Sequence, residues 1–180
     1  MSIRIEIGDM FAVDSLSGMG WLINPVQAFW APDGESKYSH AGIITDRAGE
    51  TFEALWTNRF SRLRAYDQQN IIIARMTEPD AHTKVQAIKE IVKEYEGRHY
   101  PWWRLKLHLI PPLARIFNWD GRWVVCSELV ARYMYICQAR HSTFAGTNPR
   151  RLVYEWRHWR NIEIVYEGKM DPGLVMGGRW

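Results

Sequence analysis

Cys126, His40 and Glu53 are the side chains of this sequence whose types and placing could support covalent chemistry together. Cys126 stands where the polar-aromatic run Asn118 to Trp123 gives way to a predicted helix opening Ser127-Glu128-Leu129. A thiol at a helix start faces unpaired backbone N–H groups and the positive end of the helix dipole, a setting that favours the reactive thiolate. His40 follows Tyr38-Ser39 on a predicted strand and offers a base that works near neutral pH. Glu53 falls on the next strand, and the turn Asp46-Arg47-Ala48-Gly49 sets both residues at similar distances from its centre. The pair can then share a face, with the carboxylate holding the imidazole by one ring nitrogen. Nucleophile, base and orienter are the parts that acyl transfer needs. Each residue alone has a plainer use, as a buried thiol, a satisfied strand histidine or a solvated glutamate. The combination carries the expectation.

The elements around these residues follow from hydrophobic periodicity. Phe11-Ala12-Val13 reads as a short strand, and Ser39 to Thr45 with Thr51 to Trp56 reads as a β-hairpin. Asn70 to Met76 is a β-branched run typical of a buried strand. Val85, Ile88, Ile91 and Val92 recur at helical spacing from Asp80 to Tyr95, and Gly97 stops that helix. A second helix is predicted from Val124 to Ala139, with Leu129, Val130, Tyr133, Met134 and Ile136 inward. A short one runs from Thr147 to Trp156, and a late strand from Ile162 to Tyr166. Gly20 to Trp30 reads as a short apolar helix, and Ala31-Pro32-Asp33-Gly34 as a turn. The expected domain covers residues 1–168, with a loosely ordered glycine-rich tail over 169–180.

Composition narrows the functional classes. A hydrophobic fraction of 47% and a charged fraction of 24% are those of a globular domain. A net charge of +3, without a basic stripe, argues against a nucleic-acid partner. On one helix, Cys126 and Cys137 would stand about 16 Å apart at ~1.5 Å per residue, beyond the ~7 Å reach of a disulfide. Met1 to Glu6 runs into polar residues without an apolar h-region, so a cytoplasmic start is expected. No metal or other cofactor is expected, because no Cys-x-x-Cys or His-x-x-x-His spacing accompanies the candidate residues.

The blocks Ile7-Gly8-Asp9-Met10-Phe11, Tyr38-Ser39-His40-Ala41-Gly42-Ile43-Ile44, Phe52-Glu53-Ala54 and Val125-Cys126-Ser127-Glu128-Leu129-Val130 stand in a telling order. With Gly97-Arg98-His99-Tyr100 before the cysteine, they resemble the circularly permuted NlpC-type papain-like amidases. The resemblance implies an α+β, permuted papain-like fold, with an antiparallel sheet packed against the helix that carries the nucleophile. It also implies a cysteine-dependent hydrolase of an amide (peptide or peptidoglycan-type) or ester bond. Cys126 would be the nucleophile, His40 the base and Glu53 the orienter, with the Cys126 backbone N–H in the oxyanion hole. A phage-encoded enzyme released by lysis would need no signal peptide.

Two other readings stay open. A related permuted group transfers acyl chains between lipids, and Tyr100 to Phe117 mixes aromatic, basic and apolar residues as interfacial segments do. Its tryptophans are expected in the core or lining the cleft rather than at a membrane surface. The other is a non-catalytic phage or mobile-element binding module on the same fold. From Asn148 to Trp159 an amphipathic helix is expected to turn its tryptophans inward and solvate its arginines.

Overall fold

The computed structural model describes residues 4–14, 38–99, 124–141 and 146–171. The predicted helix Gly20 to Trp30, the turn after it and the aromatic-basic segment 100–117 lie outside the described residues. Among the described residues six strands form one antiparallel sheet: β1 Met10–Val13, β2 His40–Ile44, β3 Glu50–Ala54, β4 Asn58–Arg62, β5 Asn70–Met76 and β6 Ile162–Lys169. Their spatial order is β4-β3-β2-β1-β5-β6. Among the described residues there are three α-helices: α1 Ala81–Tyr95, α2 Cys126–Ile136 and α3 Pro149–His158. The architecture is therefore mixed α and β with an antiparallel sheet, and α2 packs against β2 and β3.

Strand alternation divides the core. Met10, Ala12, Ala41, Ile43, Ile72, Ala74 and Met76 join the larger cluster with the helices. Phe11, Val13, Ile44, Ile71 and Ile73 belong to a second cluster closed by Leu63 and Tyr66. β5 is buried along both of these faces, which is why it reads as a continuous β-branched run rather than an alternating one. Each fully buried isoleucine there contributes about 1.5–3 kcal/mol of transfer free energy.

Local signals set the helix ends. Asp80 caps α1 by accepting from the Thr83 N–H at 2.7 Å, and Gly97, at φ +74°, allows the left-handed turn beyond it. Asn148 caps α3 by accepting from the Arg151 N–H at 2.8 Å, with Pro149 in its first turn. Trp156 is buried in α3 as expected. Arg150 departs from the expected solvated arginines and is buried as well.

Three boundaries differ from the sequence reading. β4 and the 3₁₀ turn Leu63–Tyr66 were not anticipated, because Arg59, Phe60 and Arg62 are exposed and leave no alternation to read. α2 ends at Ile136, three residues before Ala139, since Gln138 takes the left-handed conformation at φ +57°. The expected tail boundary falls inside the sheet. Lys169 closes β6, and buried Met170 exchanges backbone hydrogen bonds with Gln68 and Gln69. Residues 172–180 lie outside the described residues. No helix among the described residues is long and apolar enough to cross a membrane.

Candidate active site

The β2–β3 register pairs Gly42 with Glu53 and Ile44 with Thr51. His40 thus lies one diagonal step from Glu53 on the same face, within reach of a long side chain. His40 Nε2 and Glu53 Oε2 are 2.8 Å apart. Both side chains are withdrawn from water, with Glu53 at 0% and His40 at 8% exposure.

The closeness depends on Gly42. A Cβ at that position would lie 2.8 Å from Glu53 Cγ and 2.6 Å from the Phe11 ring. Both are closer than packed carbon atoms tolerate. A side chain there would push the carboxylate away from the imidazole.

Glu53 is satisfied as an anion. Thr51 Oγ1 donates to Oε1, and the Tyr66 hydroxyl donates to Oε2, the oxygen that also meets His40. Burial opposes the charge, but the His40 contact and these two hydroxyls outweigh it and hold the carboxyl below its ordinary range. Tyr66 is pushed upward by burial and by the adjoining Glu53 charge, so it remains a protonated donor. Its ring lies 5.8 Å from the His40 ring and 5.6 Å from Phe11.

The thiol approaches from α2. Cys126 is the first residue of that helix, is 5% exposed, and stands close enough to the His40 side chain to raise its proton affinity. Because Nε2 faces Glu53, Nδ1 is the ring nitrogen left for the sulfur. Burial disfavours the imidazolium most strongly, yet the hydrogen bonds and charges of Cys126 and Glu53 overcome it and raise His40 to about 10. The structure brings all three sequence-predicted residues into one buried chain, Glu53 to His40 to Cys126.

Further bonds hold the helix start. The first intrahelical bond runs from the Leu129 N–H to the Val125 carbonyl. The N–H groups of Cys126 and Ser127 therefore precede the ladder and point out of the helix end. Glu128, 0% exposed, accepts from the Val125 N–H at 3.2 Å and the Gly146 N–H at 2.7 Å. Ser127 Oγ donates to the Thr147 carbonyl at 2.7 Å. These bonds tie residues 146–147 to the turn that presents the thiol.

Sequence reasoning overlooked Tyr66, Thr51, Gly42 and Glu128 as parts of this arrangement. Glu128 did carry a signal, an acidic residue at the third position of a helix. Tyr66 carried none, since a tyrosine in a short turn between strands has no recognisable spacing to position 53. Both cysteines are free. Cys137, at the far end of α2, is pushed up to about 11, chiefly by burial, and stands apart from the chain of three. Among the described residues no group of three or more His, Cys, Asp or Glu side chains is placed to hold a metal ion.

Comparison with known proteins identifies a shared fold. No family model matches the chain, and no curated protein matches it. The crystal structure of metalloprotein yiiX from Escherichia coli O157:H7, assigned to DUF1105, is similar with a TM-score of 0.61. The match covers 93% of this chain and 99% of that one at 16% identity. The expected membership of the NlpC-type amidases is corrected by this result, since the similar structure is assigned to a different family. The short sequence blocks that suggested it mark local arrangement around the thiol and imidazole, and such blocks recur without common family. At this identity the likeness establishes the fold alone.

Proposed function

We propose that this protein is a cysteine-dependent hydrolase acting on an amide or ester through an acyl-enzyme on Cys126. The observation that carries the reading is the buried series in which Glu53 Oε2 meets His40 Nε2 at 2.8 Å while Cys126, at the start of the helix packed on that strand, adjoins the same ring. A histidine strand preceding the cysteine helix, with an antiparallel sheet beneath it, supports a permuted papain-like reading of the fold.

The chemistry would run as follows. The Cys126 thiolate attacks the substrate carbonyl carbon, a C–S bond forms, and the carbonyl π pair moves onto oxygen. The N–H groups of Cys126 and Ser127 would donate to that oxyanion. The intermediate collapses, the C–N or C–O bond breaks, and the leaving group takes the proton from His40 Nδ1. Neutral His40 then removes a proton from water, whose hydroxide attacks the thioester carbonyl. The C–S bond breaks, the carboxylic acid departs, and the thiolate–imidazolium pair is restored. Glu53 keeps the ring orientation through both halves. The similar structure is described as a metalloprotein; among the described residues of this chain no group of three or more His, Cys, Asp or Glu side chains is placed to hold a metal ion.

Iodoacetamide alkylation of Cys126, followed by mass spectrometry across pH, tests the reading. Fast alkylation below pH 7 that falls in His40→Ala and persists in Cys137→Ser is expected. A Cys126 titrating near the ordinary ~8.5 of a free thiol, indifferent to His40, would overturn it and leave a binding module.

A further inference from the structure

We propose that Tyr66 is a positioning residue of this site, acting on His40 through Glu53. The inference rests on the hydrolase reading above and adds to it a residue from outside the hairpin and the nucleophile helix. Tyr66 is buried, its hydroxyl donates to the same Glu53 oxygen that meets His40, and its ring lies beside both the His40 and Phe11 rings.

Two consequences follow from one phenol bonded to one carboxylate oxygen. First, a buried carboxylate with three donors is rotationally fixed, so Oε2 stays in line with the imidazole. Thr51 anchors the other oxygen and completes the clamp. Second, donors to the anion lower its proton affinity, so Glu53 remains a carboxylate while His40 carries the proton. Without the phenol, Glu53 would protonate at a higher pH. A neutral Glu53 no longer stabilises the imidazolium, and the thiolate–imidazolium pair then weakens. The titratable and charged groups about Glu53 are His40 on β2, Tyr66 on the 3₁₀ turn, Cys126 on α2 and Arg59 directly opposite on β4. Arg59 is exposed, so the buried contacts of His40 and Tyr66 dominate.

The test is the rate of Cys126 alkylation by iodoacetamide across pH in full-length wild type, Tyr66→Phe, Glu53→Gln and the Tyr66→Phe/Glu53→Gln double variant. Tyr66→Phe keeps the ring packing and removes only the hydroxyl. It should slow alkylation at neutral pH about threefold to tenfold, the range expected for one hydrogen bond to a charged group partly transmitted to the thiol. The acid limb of its profile should also move to higher pH. Because Tyr66 acts through Glu53, the double variant should react no more slowly than Glu53→Gln alone. Thr51→Val should share the acid-limb shift, and Thr51→Ser should restore the wild-type profile. A Tyr66→Phe profile superimposed on wild type, or losses that multiply in the double variant, would overturn the proposal while the Cys126–His40 pair stood. A wild-type Cys126 that behaves as an ordinary thiol would instead remove the hydrolase reading, and this proposal with it.

Discussion

Gly42 faces Glu53 across the β2–β3 ladder, and the space left by its missing side chain is filled by Glu53 Cγ and the Phe11 ring. The pair shows how this site is built. A residue with no functional group of its own decides whether a carboxylate reaches His40.

Gly42→Ala should therefore damage function and stability together. The added methyl must displace Phe11 or Glu53 within a closed core, and overpacking of this kind costs about 1–3 kcal/mol. Urea unfolding should show that loss, and Cys126 alkylation should slow as Glu53 is pushed from His40. A variant of wild-type stability and reactivity would mean that strand movement absorbs the methyl.

Glu53 fixes the sign of an acid dependence. Its folded-state affinity for a proton is below the ordinary value of 4.5. Between the folded and unfolded values the unfolded chain binds more protons, so this contribution to stability rises with pH there. It is complete above about pH 4.5 and lost as the pH falls below it. Chemical denaturation of wild type and Glu53→Gln at several pH values should thus give curves that converge on acidification. A gap that stays constant from neutral pH down to pH 3 would show that Glu53 contributes no charge-dependent stability.

Glu128 is expected to hold the helix start rather than to react. Glu128→Ala would leave the Val125 and Gly146 N–H groups without their present acceptor. A buried donor left unpaired costs about 1–3 kcal/mol, so a loss of at least about 2 kcal/mol in denaturant unfolding is the expected result. A loss below about 0.5 kcal/mol, typical of surface changes, would mean that other acceptors replace the carboxylate.

Much of this protein was legible from local pattern. The Ile71-Ile72-Ile73 run, the helical spacing of Ile88 and Ile91, and the turn at residues 46–49 are dictated by steric and solvation preferences acting over a few residues. They were enough to place His40 and Glu53 on adjoining strands and Cys126 at a helix start. The resemblance to a particular amidase family did not survive comparison, because short blocks report local chemistry and not descent.

What needed the tertiary structure was everything set by distance across the chain. β4 escaped notice because an exposed edge strand has no hydrophobic alternation to display. Tyr66 followed it into obscurity, although its hydroxyl bonds the carboxylate thirteen positions away in sequence. Register decided that Gly42, and not a larger residue, stands opposite Glu53. The sequence by itself determined five of the six strands, the three described helices and the places of Cys126, His40 and Glu53 upon them, because those depend on neighbours along the chain. Only the folded structure decided how many donors surround Glu53 and which ring nitrogen of His40 meets it, because packing brings together residues that no local spacing relates.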